Sequence, residues 1–186
     1  MPAFFVSNRL PMETHPLQKF QFCPVCGSAN WEINNFKSKH CLDCGFTFYG
    51  NPSAAVACFI QNEEGELLVC RRAKDPAKGT LDLPGGFVDM DESAEEALKR
   101  EIKEELNLEL SDIHFMKSIP NLYEYSGMVI HTLDMLFSAK VEDWSPLQAA
   151  DDVAEAFFMK LNTISPNDFG LDSIKKGIIA FLKATT

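Results

Sequence analysis

The sequence has no run of about 18 apolar residues such as a membrane-spanning helix needs. Its first twenty residues, with Arg9, His15 and three prolines, carry no secretory apolar core. Positive charge is scarce: 17 Lys and Arg stand against 27 Asp and Glu, for a net charge of −10. Nucleic acid and anionic membranes are both bound through basic surfaces, so this balance speaks against either as a nonspecific partner. The expectation is a soluble, cytoplasmic protein. An anionic small substrate stays compatible with it, provided metal ions invert the local field. With 186 residues and 46% hydrophobic content, the chain can bury one good core and one small appended module.

Six cysteines are present, and four of them are grouped. Cys23-Pro-Val-Cys26 is separated by fourteen residues from Cys41-Leu-Asp-Cys44, and each pair is followed at once by Gly27 or Gly45. Tight turns after paired thiolates suit a tetrahedral metal site, and a cytosolic chain seldom keeps disulfides, so the pattern predicts a structural Zn²⁺ ribbon. So small a module relies on its metal for folding energy. His40 lies beside it, and Cys58 and Cys70 fall in apolar strands as core residues. The expected division is an N-terminal arm over residues 1–20, packing through Phe4, Phe5 and Val6, the ribbon over 21–49, and one larger domain over 50–186.

From Asn51 the pattern turns to strands. AAVACFIQ, a turn at Asn62 to Gly65, and ELLVCRR predict a hairpin with a buried face. Arg71 and Arg72 end its second strand, and Arg72 is a candidate for substrate phosphate. Further strands are expected at IHFMKSI, MVIHTLDMLFSAKV and EAFFMKL, with a closing helix at Ser173 to Lys183. Glu155, Asp151 and Asp152 precede or open the last strand and are candidates to approach the site.

The densest chemistry lies between Leu83 and Leu108. Ser93 with Glu96 three residues later is a capping-box pattern that starts a helix at Ala94, and Asn107 is a plausible left-handed stop. Within that helix Glu101, Glu104 and Glu105 are spaced i, i+3, i+4, so three carboxylates share one face and repel one another unless neutralised. Hard oxygen ligands at this density suit Mg²⁺ or Mn²⁺, which sit between carboxylates and substrate phosphates. Gly85 and Gly86 add close backbone approach just before the helix.

Gly86, five residues, Glu92, seven residues, then Arg100-Glu101-Ile102-Lys103-Glu104-Glu105 and Leu106-Asn107-Leu108 resemble the Nudix box, G-x5-E-x7-R-E-U-x-E-E-x-G-U, with Asn107 in place of the last glycine. The resemblance covers about residues 51–183. It implies an α/β/α sandwich with a mixed, curved sheet, preceded here by the ribbon. It further implies that Glu101, Glu104 and Glu105, with the Gly86 carbonyl, hold catalytic Mg²⁺ or Mn²⁺, and that Arg100 and Glu92 orient them. The implied reaction is hydrolysis of a diphosphate bridge in a nucleoside diphosphate linked to another group, such as ADP-ribose, an NADH-like dinucleotide or a nucleotide sugar. Spacing does not choose between Glu101 and a later acid such as Glu155 as general base.

A zinc ribbon directly before such a domain resembles the NADH pyrophosphatase architecture, and by that analogy the ribbon packs at the interface of a homodimer. Where that branch carries S-Q-P-W-P-F-P-x-S, this chain has Ser118-Ile-Pro120-Asn-Leu-Tyr123-Glu-Tyr-Ser126. Ile119 and Asn121 replace the glutamine and tryptophan, while Tyr123 keeps an aromatic face on which a base could stack. Two other functions are compatible with the same residues: a nucleotide sensor that does not cleave, and a ribbon that reads nucleic acid. The charge balance between Cys23 and Cys44 gives the second little support.

Overall fold

The computed structural model describes residues 15–185, so Phe4, Phe5 and Val6 of the expected arm lie outside the described residues. The chain divides into two compact units between Asn51 and Pro52.

The first unit is a three-stranded antiparallel sheet of β1 (Trp31–Asn35), β2 (Ser38–Cys41) and β3 (Thr47–Tyr49) in that order. Among the described residues its apolar cluster is Cys23, Trp31 and Cys41, with Phe46 packed alongside. Residues expected in the arm are held to this sheet: Leu17 is buried, His15 Nε2 bonds Asn35 O at 2.8 Å, and Lys39 Nζ donates to Phe20 O at 2.6 Å.

The second unit is built from β4 (Ser53–Ile60), β5 (Leu67–Arg72), β6 (Leu81–Asp82), α1 (Ala94–Leu106), β7 (Ser111–Tyr125), β8 (Met128–Lys140), β9 (Val153–Met159) and α2 (Asp172–Ala184). One sheet has the order β4-β8-β7, with β4 parallel and β7 antiparallel to β8. The other has the order β6-β5-β9 and is antiparallel.

The expected hairpin of β4 and β5 is therefore corrected. The two strands share only a bridge between Gln61 and Leu67 and then enter different sheets. The cause lies in their composition: both are apolar on both faces, as strands covered on two sides are. Val56, Cys58, Ile60, Leu68 and Cys70 pack with Ala97, Leu98, Ile102 and Leu106 of α1. The alternate residues Ala57, Phe59, Leu67 and Val69 pack with Ile174, Ile178 and Phe181 of α2. Helix, sheet and helix form three layers, the mixed α/β sandwich expected.

The start of α1 is local chemistry. Ser93 Oγ accepts from Glu96 N–H, and Glu96 Oε2 accepts from Ser93 N–H at 2.8 Å. Asn107 ends the helix in the left-handed region at φ 56°. A cap contributes about 1 kcal/mol, whereas each fully buried Leu or Ile contributes about 1.5–3 kcal/mol. Packing thus holds the helix, and the caps set its register. That register turns the apolar residues to the core and the carboxylates toward the glycine turn. Among the described residues no helix is long and apolar enough to cross a membrane.

Candidate active site

The segment after β6 runs antiparallel to β4 and brings two glycines against α1. Val56 N–H donates to Gly86 O at 2.8 Å, Cys58 N–H to Pro84 O at 3.0 Å, and Val88 N–H to Ala54 O at 3.0 Å. Gly85 has φ +144°, and a Cβ there would sit 2.2 Å from the Val56 carbonyl oxygen. At Gly86 a Cβ would lie 2.5 Å from the Glu101 carboxyl carbon. The missing side chain is what lets Glu101 reach the turn. Gly85 N–H donates to Glu105 Oε2 at 3.0 Å, so the turn also fixes the second carboxylate. The Gly86 carbonyl keeps one of its two lone pairs beyond the bond from Val56.

These carboxylates are electrostatically crowded. Burial pushes the Glu105 carboxyl up to about 8, and Glu101, Asp82 and Asp152 add to the rise against the opposing Gly85 amide. Burial also raises Glu101, with Glu104 and Asp89 adding to it, while Arg100 opposes. Arg100 is the local counter-ion. It grips Glu92 with Nη2 to Oε1 at 2.6 Å and Nε to Oε2 at 3.2 Å. Its Nη1 reaches Glu101 Oε1 at 2.9 Å and Glu104 Oε2 at 3.2 Å, and its Nη2 also donates to Phe87 O at 3.0 Å. Hydrogen bonds from Arg100 and from the Asp89 amide hold the Glu92 carboxyl below its usual value. A fork fixed at one end by Glu92 sets the rotamers of the helix carboxylates at the other.

Gly85, Gly86, Arg100, Glu101, Glu104 and Glu105 line a cleft of about 340 Å³ within the second unit, the size of a small-ligand pocket, and Glu92 stands behind Arg100 outside its lining. Asp151 and Asp152 line it too. Their loop hangs on the end of α1, through Gln148 N–H to Leu106 O at 3.1 Å and Ala150 N–H to Glu105 O at 2.8 Å. Glu155 is placed differently: it does not line the cleft, and its exposed carboxylate pairs with Arg71 Nε at 2.9 Å. Glu155 stands opposite Arg71 in the regular part of the β5–β9 ladder, and the register shifts only beyond it, where Arg72 pairs with Val153.

Arg72 and Tyr123, the other candidate substrate contacts, both line the cleft. Arg72 donates to Asp82 Oδ2 at 2.5 Å, to Pro76 O at 2.7 Å and to Tyr123 Oη at 3.3 Å. Burial lowers its affinity for the proton, and Asp82 more than restores it. Asp82 is itself pushed up by burial, against Arg72, with a further push from Asp134. The Tyr123 ring meets Phe87 edge-on, with centroids 5.4 Å apart. Tyr125 is exposed and does not line the cleft.

Asp82, Phe87, Thr132 and Asp134 line the cleft without having been foreseen. The sequence does hold one signal for Asp134, an acid within the apolar run of β8, and one for Asp82, which directly precedes Leu83-Pro84-Gly85-Gly86.

In the first unit the Sγ atoms of Cys23, Cys26, Cys41 and Cys44 all lie within 4.8 Å of one another. Cys23 to Cys44 is 3.7 Å and Cys26 to Cys41 is 3.6 Å, too far for disulfides. A tetrahedron with Zn–S bonds of about 2.3 Å has edges of about 3.8 Å, so the donor set fits that ion. Gly27 and Gly45 take φ +74° and +76°, and their amides close the knuckles onto the carbonyls of Cys23 and Cys41 at 2.9 and 3.0 Å. His40 is outside the cluster and bonds Thr47 Oγ1 at 2.7 Å.

Known proteins are similar to this chain. An ADP-ribose pyrophosphatase of Methanocaldococcus jannaschii is 35% identical over 133 residues, covering 70% of this chain and 75% of the relative. An NAD-capped RNA hydrolase NudC of Vibrio atlanticus is 25% identical over 148 residues, covering 80% of this chain, which spans about half (54%) of that relative's length. A NUDIX hydrolase crystal structure from Nitrosomonas europaea superposes with a TM-score of 0.68 at 24% identity, over 88% of this chain and 90% of that one. The NUDIX domain of Shewanella oneidensis NrtR, complexed with ADP ribose, gives 0.58 at 18% identity, over 74% and 91%. These two structures bear on the fold alone. A family model described as the NUDIX domain matches residues 51–181, which contain the glycine turn, the carboxylate helix and the cleft, and the chain belongs to that family.

Proposed function

We propose that the chain is a Mg²⁺- or Mn²⁺-dependent pyrophosphohydrolase that cleaves the diphosphate bridge of a nucleoside diphosphate linked to another group, with ADP-ribose the leading substrate. One observation carries this: Glu101, Glu104, Glu105 and Gly86 line one cleft, where burial and mutual repulsion raise Glu101 and Glu105 and Arg100 is shared with Glu92. In this proposal those four groups hold the divalent ions. Bound ions would neutralise the diphosphate and lower the pKa of an attacking water.

The chain's own residues do the remainder. Arg100, anchored by Glu92, holds Glu101 and Glu104 in place. Glu105 is fixed by the Gly85 amide. Asp152, on the loop tied to α1, is a second candidate beside Glu101 to take the water's proton, in preference to Glu155. Arg72 and Tyr123 contact the non-reacting half of the substrate. Cys23, Cys26, Cys41 and Cys44 hold a structural Zn²⁺ that supplies folding energy. The exposed Phe22, Ile33 and Phe36 of this ribbon support a contact with a second copy of the chain.

The test is a product assay with Mg²⁺ against ADP-ribose, NADH, a nucleotide sugar and NAD-capped RNA. Release of AMP and ribose 5-phosphate from ADP-ribose is expected. Binding of these nucleotides without cleavage of any would replace the hydrolase by a sensor.

A further inference from the structure

The cleft holds a second polar centre that metal ions and diphosphate do not explain. Asp134 is 6% exposed and lines the cleft, yet the three groups bonded to it are all neutral. Its Oδ2 accepts from Ser173 Oγ at 2.5 Å and from Asn121 Nδ2 at 3.1 Å, and its Oδ1 accepts from Thr132 Oγ1 at 2.6 Å. A carboxylate offers about four acceptor positions, so one remains, on Oδ1. A buried oxygen left with spare acceptor capacity favours a ligand that supplies a donor.

The strand ladder sets what lies beside it. Asp134 is in register with Ala55 of β4, and Ala55 bridges Phe87 on its other side. Side chains in register share a face, and strands are spaced about 4.8 Å, so Phe87 and Asp134 flank a gap of two strand spacings whose floor is a single methyl group. Ala57, Leu171 and Ile174 complete an apolar lining, and Tyr123 stands edge-on to Phe87. A flat ring fits such a slot, with its polar edge toward Asp134.

Guanine would present two donors side by side to a carboxylate, but Oδ2 is already filled by Ser173 and Asn121. A base with a single donor at that edge fits the one free position. Adenine supplies it through its 6-amino group and cytosine through its 4-amino group, and of the two adenine is the base of the ADP-ribose for which the Methanocaldococcus relative is named.

We infer that Asp134 is a specificity-determining residue that accepts a hydrogen bond from the 6-amino group of an adenine seated over Ala55. This rests on the nucleotide reading above, and it names the base. The competing role is structural, because Asn121, Thr132 and Ser173 tie β7, β8 and α2 together through the same carboxylate.

The test compares AMP with purine riboside 5′-monophosphate, which carries hydrogen in place of the amine and has no donor on that edge, by calorimetric binding to the 186-residue chain and to Asp134→Asn. The parent is expected to bind AMP at least about tenfold more tightly than the purine nucleotide. In Asp134→Asn the ratio is expected to fall to near unity, since the anionic acceptor that meets the amine is gone. Equal affinities in the parent, or an unchanged ratio in the variant, would overturn the inference. Should the variant not fold, Ala55→Val, which crowds the slot and leaves the hydrogen bonds of Asp134 in place, is expected to weaken AMP at least about tenfold, and an unchanged affinity would overturn the inference. Hydrolysis of ADP-ribose is scored separately: a chain that prefers AMP but cleaves nothing would remove the hydrolase reading and leave the role of Asp134 standing.

Discussion

Replacing Gly86 with alanine separates the geometry of the site from the stability of the fold. The added Cβ would lie 2.5 Å from Cδ and Oε1 of Glu101, where ordinary contact begins near 3.4 Å. The carboxylate must therefore retreat by about 0.9 Å, and a misplacement of about 1 Å costs on the order of 100-fold in rate. The obstacle is the end of a flexible side chain, and Gly86 does not occupy the left-handed region, so the backbone accepts alanine. Stability is then unchanged, or raised by up to about 1 kcal/mol through a stiffer unfolded chain. Gly85→Ala is the contrast, because its Cβ meets the backbone of Val56 at 2.2 Å with φ +144°, and nothing there can give way cheaply. We expect Gly86→Ala to melt with the parent while hydrolysing ADP-ribose about 100-fold more slowly, and Gly85→Ala to lose more than about 2 kcal/mol of stability. Activity of Gly86→Ala within threefold of the parent would refute the placement of Glu101.

Other consequences follow from single contacts. Arg100→Lys keeps the charge but loses the two-pronged grip on Glu92, so kcat should fall about 10–100-fold with little change in melting temperature, as measured by kinetics beside thermal unfolding. Chelation of Zn²⁺ should unfold the first unit, whose apolar cluster is so small, and change the emission of Trp31, which packs on Cys23 and Cys41; constant emission with the metal removed would contradict this. Ser93→Ala removes the cap of α1 and should cost about 1 kcal/mol, or roughly 2–4 °C in melting temperature. Hydrogen bonds from the Ser93 amide and hydroxyl hold the Glu96 carboxyl below its ordinary value. That stabilisation is present above the unfolded value, about pH 4.3, and is lost as pH falls through the folded one, so the gap between parent and variant should narrow in acid.

What was legible in the sequence is what neighbouring residues decide. The capping box spans four residues, the turn at Asn107 follows from one, and the Cys-x2-Cys-Gly knuckles close on themselves. Glu92 and Arg100 are eight residues apart, with the first two turns of α1 between them. The partition of β4 and β5 was hidden because both strands are apolar on both faces, so periodicity gives no clue to their partners. β7 was expected to stop before Pro120, yet it runs on to Tyr125. It is an edge strand, where the amide that proline lacks need not pair. The Asp134 cluster joins residues 121, 132, 134 and 173 from three elements, a conjunction that only the tertiary fold creates. Glu155 is held by Arg71, its partner across the β5–β9 ladder, a pairing that linear spacing does not show, while Asp151 and Asp152 line the cleft on a loop tied by backbone bonds to α1.

The central claim is that the carboxylate face of α1 performs metal-dependent cleavage, and Glu104→Gln tests it most directly, since it changes charge without changing shape. Turnover of ADP-ribose at saturating Mg²⁺ should fall at least about 100-fold in the variant, with the melting temperature unchanged. Equal turnover by the two proteins would contradict the account.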